Sequence, residues 1–136
     1  MEKMIVRLQP YALSLMRFVI GLVFFAYGVA KIFKFPPMDY FANLPPLITT
    51  AGWIELVIGG LLMIGLFTRL TAFILSGEMA FAYFLGHVFK NPEPVWNPVL
   101  NEGTAAVVLC FSCLYLATAG GGPLSVDGAM SRTTRF

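Results

Sequence analysis

Four apolar runs, each long enough to cross a bilayer and each closed by a proline- or glycine-rich break, dictate most of what this chain can become. A hydrocarbon core of about 30 Å takes about 20 apolar residues as a helix, which satisfies every backbone N–H and C=O within one segment. The runs cover approximately 11–33, 50–67, 70–89 and 99–119. Between the first two, Phe35-Pro36-Pro37 and Asn43-Leu44-Pro45-Pro46 stop a helix, because proline lacks a donor and clashes with the preceding turn. Thr68-Arg69 is so short a link that the second and third runs must be antiparallel neighbours. Asn91-Pro92-Glu93-Pro94 breaks the chain again, and Gly120-Gly121-Gly122-Pro123 ends the last run. The expected fold class is all-α: an integral membrane four-helix bundle, one domain over 1–136, with the lipid bilayer as its first partner.

Composition agrees. Only 12% of the residues are charged and 58% are hydrophobic, against about 25% charged in a soluble domain, so a water-soluble enzyme is excluded. The net charge of +2 comes from nine Lys and Arg spread along the chain, which form no patch for a phosphate backbone; nucleic acid is not an expected partner. Lys3 and Arg7 before the first run resemble a signal peptide, but the run is too long and ends at Lys31 and Lys34, so an uncleaved span is expected. Four crossings put both termini on one side with Thr68-Arg69. That side carries Lys3, Arg7, Arg69, Arg132 and Arg135, against Lys31, Lys34 and Lys90 opposite. The positive-inside bias then places both termini in the cytoplasm of a multi-pass inner (cell) membrane protein, with Trp53 and Trp96 at the outer interface.

Inside the runs lie Arg17, Glu55, Glu78 and Glu102, with Lys31 and His87 nearer a boundary. An ionised group near a bilayer centre costs about 2.5–3.5 kcal/mol on insertion scales, so it is kept only with a partner or a use. Arg17, Gly21, Phe24, Gly28 and Lys31 follow alternating steps of four and three, one helix face that also carries small residues for close packing. Gly52, Glu55, Gly59 and Leu62 share a face of the second run, and Glu102, Ala106, Leu109 and Cys113 one of the fourth. Counting depth along alternating helices predicts an Arg17–Glu78 pair and a separate outer cluster of Lys31, Glu55, His87 and Glu102. Two permanent cations then face three carboxyls, which suits proton exchange. Structural ion pairing that fixes helix register accounts for the same charges, and a polar helix end near water accounts for His87.

Cys110 and Cys113 have CxxC spacing but lie mid-run, where a thiolate is disfavoured, so packing is expected of them. One histidine cannot supply paired haem ligands, and no Cys or His cluster has zinc or iron-sulfur spacing. No haem, iron-sulfur cluster or metal is expected, and no catalytic nucleophile is assigned.

These residues resemble the DoxX family of small four-helix membrane proteins. The resemblance rests on Leu15-Met16-Arg17-Phe18, Gly21, Phe24, Gly28 and Lys31, on Gly52-Trp53-Ile54-Glu55-Leu56, Gly59 and Gly65-Leu66-Phe67-Thr68-Arg69, on Asn101-Glu102, and on the tail from Gly120 to Asp127. It implies kinship with subunits of quinone-linked oxidoreductases and with membrane partners in thiol and oxidative-stress complexes. The expectation is a membrane subunit that binds quinone or a related molecule in a polar pocket inside the bundle, alongside a partner subunit or as a homo-oligomer. Arg17, Lys31, Trp53, Glu55, Glu78, His87 and Glu102 are the expected ligand-binding residues, with Arg17 donating to a ligand oxygen. A non-enzymatic scaffold or assembly factor, and a small-solute or proton pathway, are the alternatives.

Overall fold

The computed structural model describes residues 1–134, and among the described residues it is all-helical, with five α-helices and no strand. They are α1 (Glu2–Phe33), α2 (Pro46–Ile64), α3 (Thr68–Tyr83), α4 (Thr104–Ala119) and α5 (Val126–Thr133). A short 3-10 turn, Asp39–Phe41, lies between α1 and α2, and α3 runs on into a π-helical turn, Phe84–Val88. Three of the segments, α1, α2 and α3 with its extension, are long and apolar enough to cross a membrane. Arg135, counted above toward the cytoplasmic side, lies outside the described residues.

Local chemistry explains where the boundaries depart from expectation. α2 starts early because Pro46 sits in its first turn, where a missing N–H costs nothing. It ends at Gly65, whose φ of 76° closes a Schellman turn: Gly65 N–H donates to the Leu62 carbonyl and Leu66 N–H to that of Leu61, both at 3.0 Å. The fourth helix was expected from 99, but α4 starts only at Thr104. Asn97 Oδ1 accepts from Val99 N–H at 2.9 Å, Asn101 Oδ1 accepts from Gly103 N–H at 2.8 Å, and Glu102 adopts a φ of 60°. Asparagine side chains thus take the backbone donors that a first helical turn would use.

α1 packs chiefly on α2 and α3 on α4, with a lesser seam between α2 and α3. The α1–α2 approach is close enough that a Cβ on Gly21 or Gly28 would strike the backbone of Met63 or Leu56, the small-residue packing that serves helices in lipid. Ile20, Phe24, Leu62, Leu75, Met79, Cys113 and Leu116 form the core. Phe18, Leu22, Phe73, Phe81 and Phe111 point outward, where acyl chains rather than water are their natural solvent.

Candidate functional site

Two polar clusters occupy the bundle: Lys31 and Glu55, expected in one cluster, do meet, but His87 and Glu102 stand apart from them and Arg17 does not pair with Glu78. The first is mid-bundle. α1 and α2 run antiparallel, with Gly21 against Met63 and Gly28 against Leu56, which brings the Lys31 backbone level with Gly52. Helical side chains lean toward the N-terminus of their own helix, so Lys31 reaches back along α1 and meets Glu55. Its Nζ lies 2.8 and 2.7 Å from the two Glu55 carboxylate oxygens, and Glu55 is 4% exposed. The Tyr27 ring centroid is 5.8 Å from the same Nζ.

Glu78 joins this cluster from α3. Counted outward from the turn between α2 and α3, it stands level with Glu55, and its two oxygens are buried without a hydrogen-bond partner among the described residues. One lysine therefore faces two carboxyls, so electrical balance calls for one more proton or one bound donor. The expected Arg17–Glu78 pair does not form, for a geometric reason. Arg17 lies level with the last turn of α2, and α3 begins just beyond that turn at Thr68. Glu78 is ten residues further along α3, about 15 Å away at 1.5 Å per residue.

Arg17, 3% exposed, instead forms the second cluster at the end of the bundle where the tail returns. Its Nε donates to Gly121 O at 3.0 Å, one terminal nitrogen to Leu62 O at 3.0 Å and to Met63 O, and the other to Leu124 O at 2.7 Å. Leu62 and Met63 belong to the last turn of α2, whose carbonyls have no partner within the helix. Four hydrogen bonds engage a guanidinium that has five donors, so the expectation that Arg17 donates to a ligand gives way to a role in tying the tail to α2. Ser14 adds to the tie by accepting from Leu124 N–H at 3.1 Å.

Asp127 completes this end. Its two oxygens accept from Phe67 N–H at 2.9 Å and Thr68 N–H at 2.8 Å, the open donors at the start of α3. Burial alone would push its carboxyl up, but the hydrogen bonds from Thr68 and Phe67, with the charge of Arg17, outweigh burial and hold it below the usual aspartate range. Arg69 mirrors this at the end of α4, donating to Ala117 O at 3.3 Å and to Thr118 O.

The other expected site residues lie apart from both clusters. Glu102 is exposed in the loop before α4, outside any helix, so the face it was expected to share with Ala106 and Cys113 does not include it. His87 is half-buried in the π-helical turn, with Nδ1 3.0 Å from Asn101 O. Trp53 turns its ring outward. Cys110 and Cys113 are free thiols; Cys113 is wholly buried, and Cys110 O accepts from the Ser76 hydroxyl at 2.8 Å. Among the described residues, no group of three or more His, Cys, Asp or Glu stands together as metal ligands would.

Sequence reasoning missed the functions of Ser14 and Asp127 and the level shared by Glu55 and Glu78. A signal for the last was present. Glu55 stands nine residues before the end of α2 and Glu78 ten after the start of α3, so counting outward from the tight turn between them places the two carboxyls side by side.

The DoxX family pattern matches residues 12–88. An uncharacterized protein of Haemophilus influenzae (strain ATCC 51907 / DSM 11121 / KW20 / Rd) is 38% identical over 122 residues, 88% of this chain and 90% of that protein. No solved structure matches.

Proposed function

The chain belongs to the DoxX family of membrane proteins, and from that membership and the mid-bundle cluster we propose that it is a membrane subunit of a quinone-linked oxidoreductase complex. The working site in this reading is Lys31, Glu55 and Glu78, with Arg17 holding the fold. One observation carries it: the Glu78 carboxyl has both oxygens buried and, among the described residues, unpartnered, at the level of the Lys31–Glu55 ion pair. A buried polar group without a partner costs roughly 1–3 kcal/mol, more when charged, so a ligand or proton there repays a real deficit. A quinone supplies an electron acceptor whose carbonyl oxygens gain protons on reduction. Lys31 is a donor for such an oxygen, Glu78 holds or releases a proton next to it, and the half-exposed Tyr27 ring offers an aromatic face at the edge of the cluster. The protein sits in the inner membrane as a multi-pass bundle with both termini in the cytoplasm, a placement supported by Lys3, Arg7, Arg69 and Arg132 at the end where the tail returns.

Titration of the purified protein with a short-chain quinone, followed by tryptophan quenching in detergent, is expected to saturate at one molecule per site. Glu78→Gln is expected to weaken binding about tenfold. A quench that rises linearly without saturation removes the reading. A scaffold or assembly role is the second reading, favoured by the use of Arg17 and Asp127 on backbone partners alone. It predicts that Glu78→Gln leaves partner recovery intact and that no lipid-soluble molecule copurifies.

A further inference from the structure

At the end of the bundle where the tail returns, an open cavity of about 580 Å³ lies between the start of α3, the end of α4 and α5. Its size is that of sites that hold small ligands. Arg69 lines it and uses one terminal nitrogen to hold Ala117 O and Thr118 O. Its Nε and its other terminal nitrogen have no partner among the described residues. That second nitrogen lies over Gly120, where a Cβ would stand 3.4 Å from it.

The glycine turn that forms the adjoining wall adds more donors. Gly120 N–H is engaged by Leu116 O, but the N–H groups of Gly121 and Gly122 donate to nothing among the described residues. Backbone donors in a folded interior are nearly always paired, so two successive open ones call for an acceptor. Thr68, 1% exposed, also has a hydroxyl without a partner among the described residues, and it lies against Gly121, where a Cβ would stand 2.6 Å from it. Acceptors are scarce by comparison. The carboxylate in this wall, Asp127, already accepts from Phe67 and Thr68 N–H and feels the charge of Arg17. It thereby occupies the donors at the start of α3, and the site does not rest on that helix terminus. Arg132 stands on the far side, its Nε donating to the carbonyl of Gly128, another wall residue, at 3.3 Å. Among the described residues neither arginine has a carboxylate partner.

We propose that this cavity binds an anionic phosphate group, with Arg69 and the Gly121 and Gly122 N–H groups as its donors and Ser131 at its rim. A planar guanidinium fork beside successive backbone N–H groups is the chemistry that takes phosphate oxygens. The group is carried by a phospholipid head or is free phosphate. The surroundings fit the first, because Phe67 and Leu70, 60% and 61% exposed, border the same cavity and offer acyl chains an apolar rim. Basic pockets between helices at a cytoplasmic face, the face proposed for this end, are where such head groups bind.

Titration calorimetry of the full chain in detergent tests this with dihexanoyl phosphatidylglycerol, dihexanoyl phosphatidylcholine and inorganic phosphate as probes. Phosphatidylglycerol is expected to saturate at one per chain and to bind at least fivefold more tightly than phosphatidylcholine. Ser131→Asp places a negative charge at the exposed rim and is expected to weaken binding about tenfold. Asn43→Asp, the same change of charge at an exposed site between α1 and α2, is expected to leave it unaltered. Arg69→Gln should lose at least as much as Ser131→Asp; if it unfolds for want of its tie to α4, Ser131→Asp decides alone. Saturation by phosphatidylglycerol but not by inorganic phosphate assigns the cavity to a lipid head group, and saturation by inorganic phosphate assigns it to a free phosphate group. No saturable binding of either, or equal affinity in the two aspartate variants, overturns the proposal.

Discussion

Arg17 and Lys31 are both cations on the inner face of α1, yet they do different work because their neighbours differ. Arg17 meets backbone carbonyls and Lys31 meets a carboxylate. A planar fork of donors suits several carbonyls held at fixed angles, which a lysine cannot reproduce. Arg17→Met is therefore expected to cost about 3 kcal/mol or more, since it strands buried acceptors, and to leave the tail beyond Gly120 open to protease; thermal unfolding in detergent and limited proteolysis read the two effects. For the other cation, Lys31→Met leaves Glu55 buried and unpaired, and Glu55→Gln leaves the ammonium so. Each single change is expected to cost about 3 kcal/mol, and the double change less than their sum, because breaking a buried pair costs more than replacing it. Unfolding free energies of the four proteins measure that coupling, and simple additivity would show the ion pair to be dispensable.

The elements are held by two devices, contact between helix backbones and capping from a distance. Gly28 lies so close to Leu56 that any Cβ must push α1 from α2, whereas a Cβ on Gly77 meets nothing within 4 Å. Gly28→Ala is expected to destabilise by about 1–3 kcal/mol, while Gly77→Ala stays at or above native stability; paired melting curves decide it. The Asp127 cap ties α5 to the start of α3 and has a definite pH signature. Its native carboxyl titrates below the unfolded value, so its contribution is complete above about pH 4 and is lost as pH falls through the lower native value. Water screens a partly exposed cap, and Asp127→Asn is expected to cost about 1 kcal/mol. The gap between the two melting temperatures should stay constant from about pH 5 to 8 and close below about pH 4. Much of this level was legible in advance: the glycine stripe on α1, the face of Gly52, Glu55, Gly59 and Leu62, and the turn near Thr68 all follow from spacing. Lys31 and Glu55 follow from spacing too, but Glu78 was assigned to Arg17 because depth was counted from assigned helix starts, and α1 begins at Glu2 rather than near 11. The tail was illegible for another reason: a glycine run ending a helix does not disclose that its carbonyls receive an arginine from the first helix.

At the scale of the molecule, the bundle must match a hydrocarbon slab with helices of unequal length. α4 has 16 residues, about 24 Å at 1.5 Å per residue, against a core of about 30 Å. In the proposed four-span bundle the loop before it would make up the difference, since Trp96, Val99 and Leu100 are all exposed there and apolar. Irregular backbone survives at such depth only if its polar groups find partners within the protein. Asn97 and Asn101 provide them, accepting from Val99 and Gly103 N–H, while Asn101 Nδ2 donates to Val95 O at 2.8 Å. In that proposed placement, the asparagines that shorten α4 would be what lets the preceding loop enter the interface. With this loop and Lys34 at one end, and the tail knotted around Arg17 at the other, the proposed orientation can be read with single cysteines and a membrane-impermeant thiol reagent on intact cells, in a background carrying Cys110→Ser and Cys113→Ser. Lys34→Cys and Lys90→Cys are expected to react from outside, whereas Lys3→Cys and Arg132→Cys react only after the membrane is opened. The reverse pattern would invert the orientation. Reaction of Lys3→Cys and Arg132→Cys on opposite faces would instead mean that α4 does not cross, and that the bundle spans the membrane through α1, α2 and α3 alone.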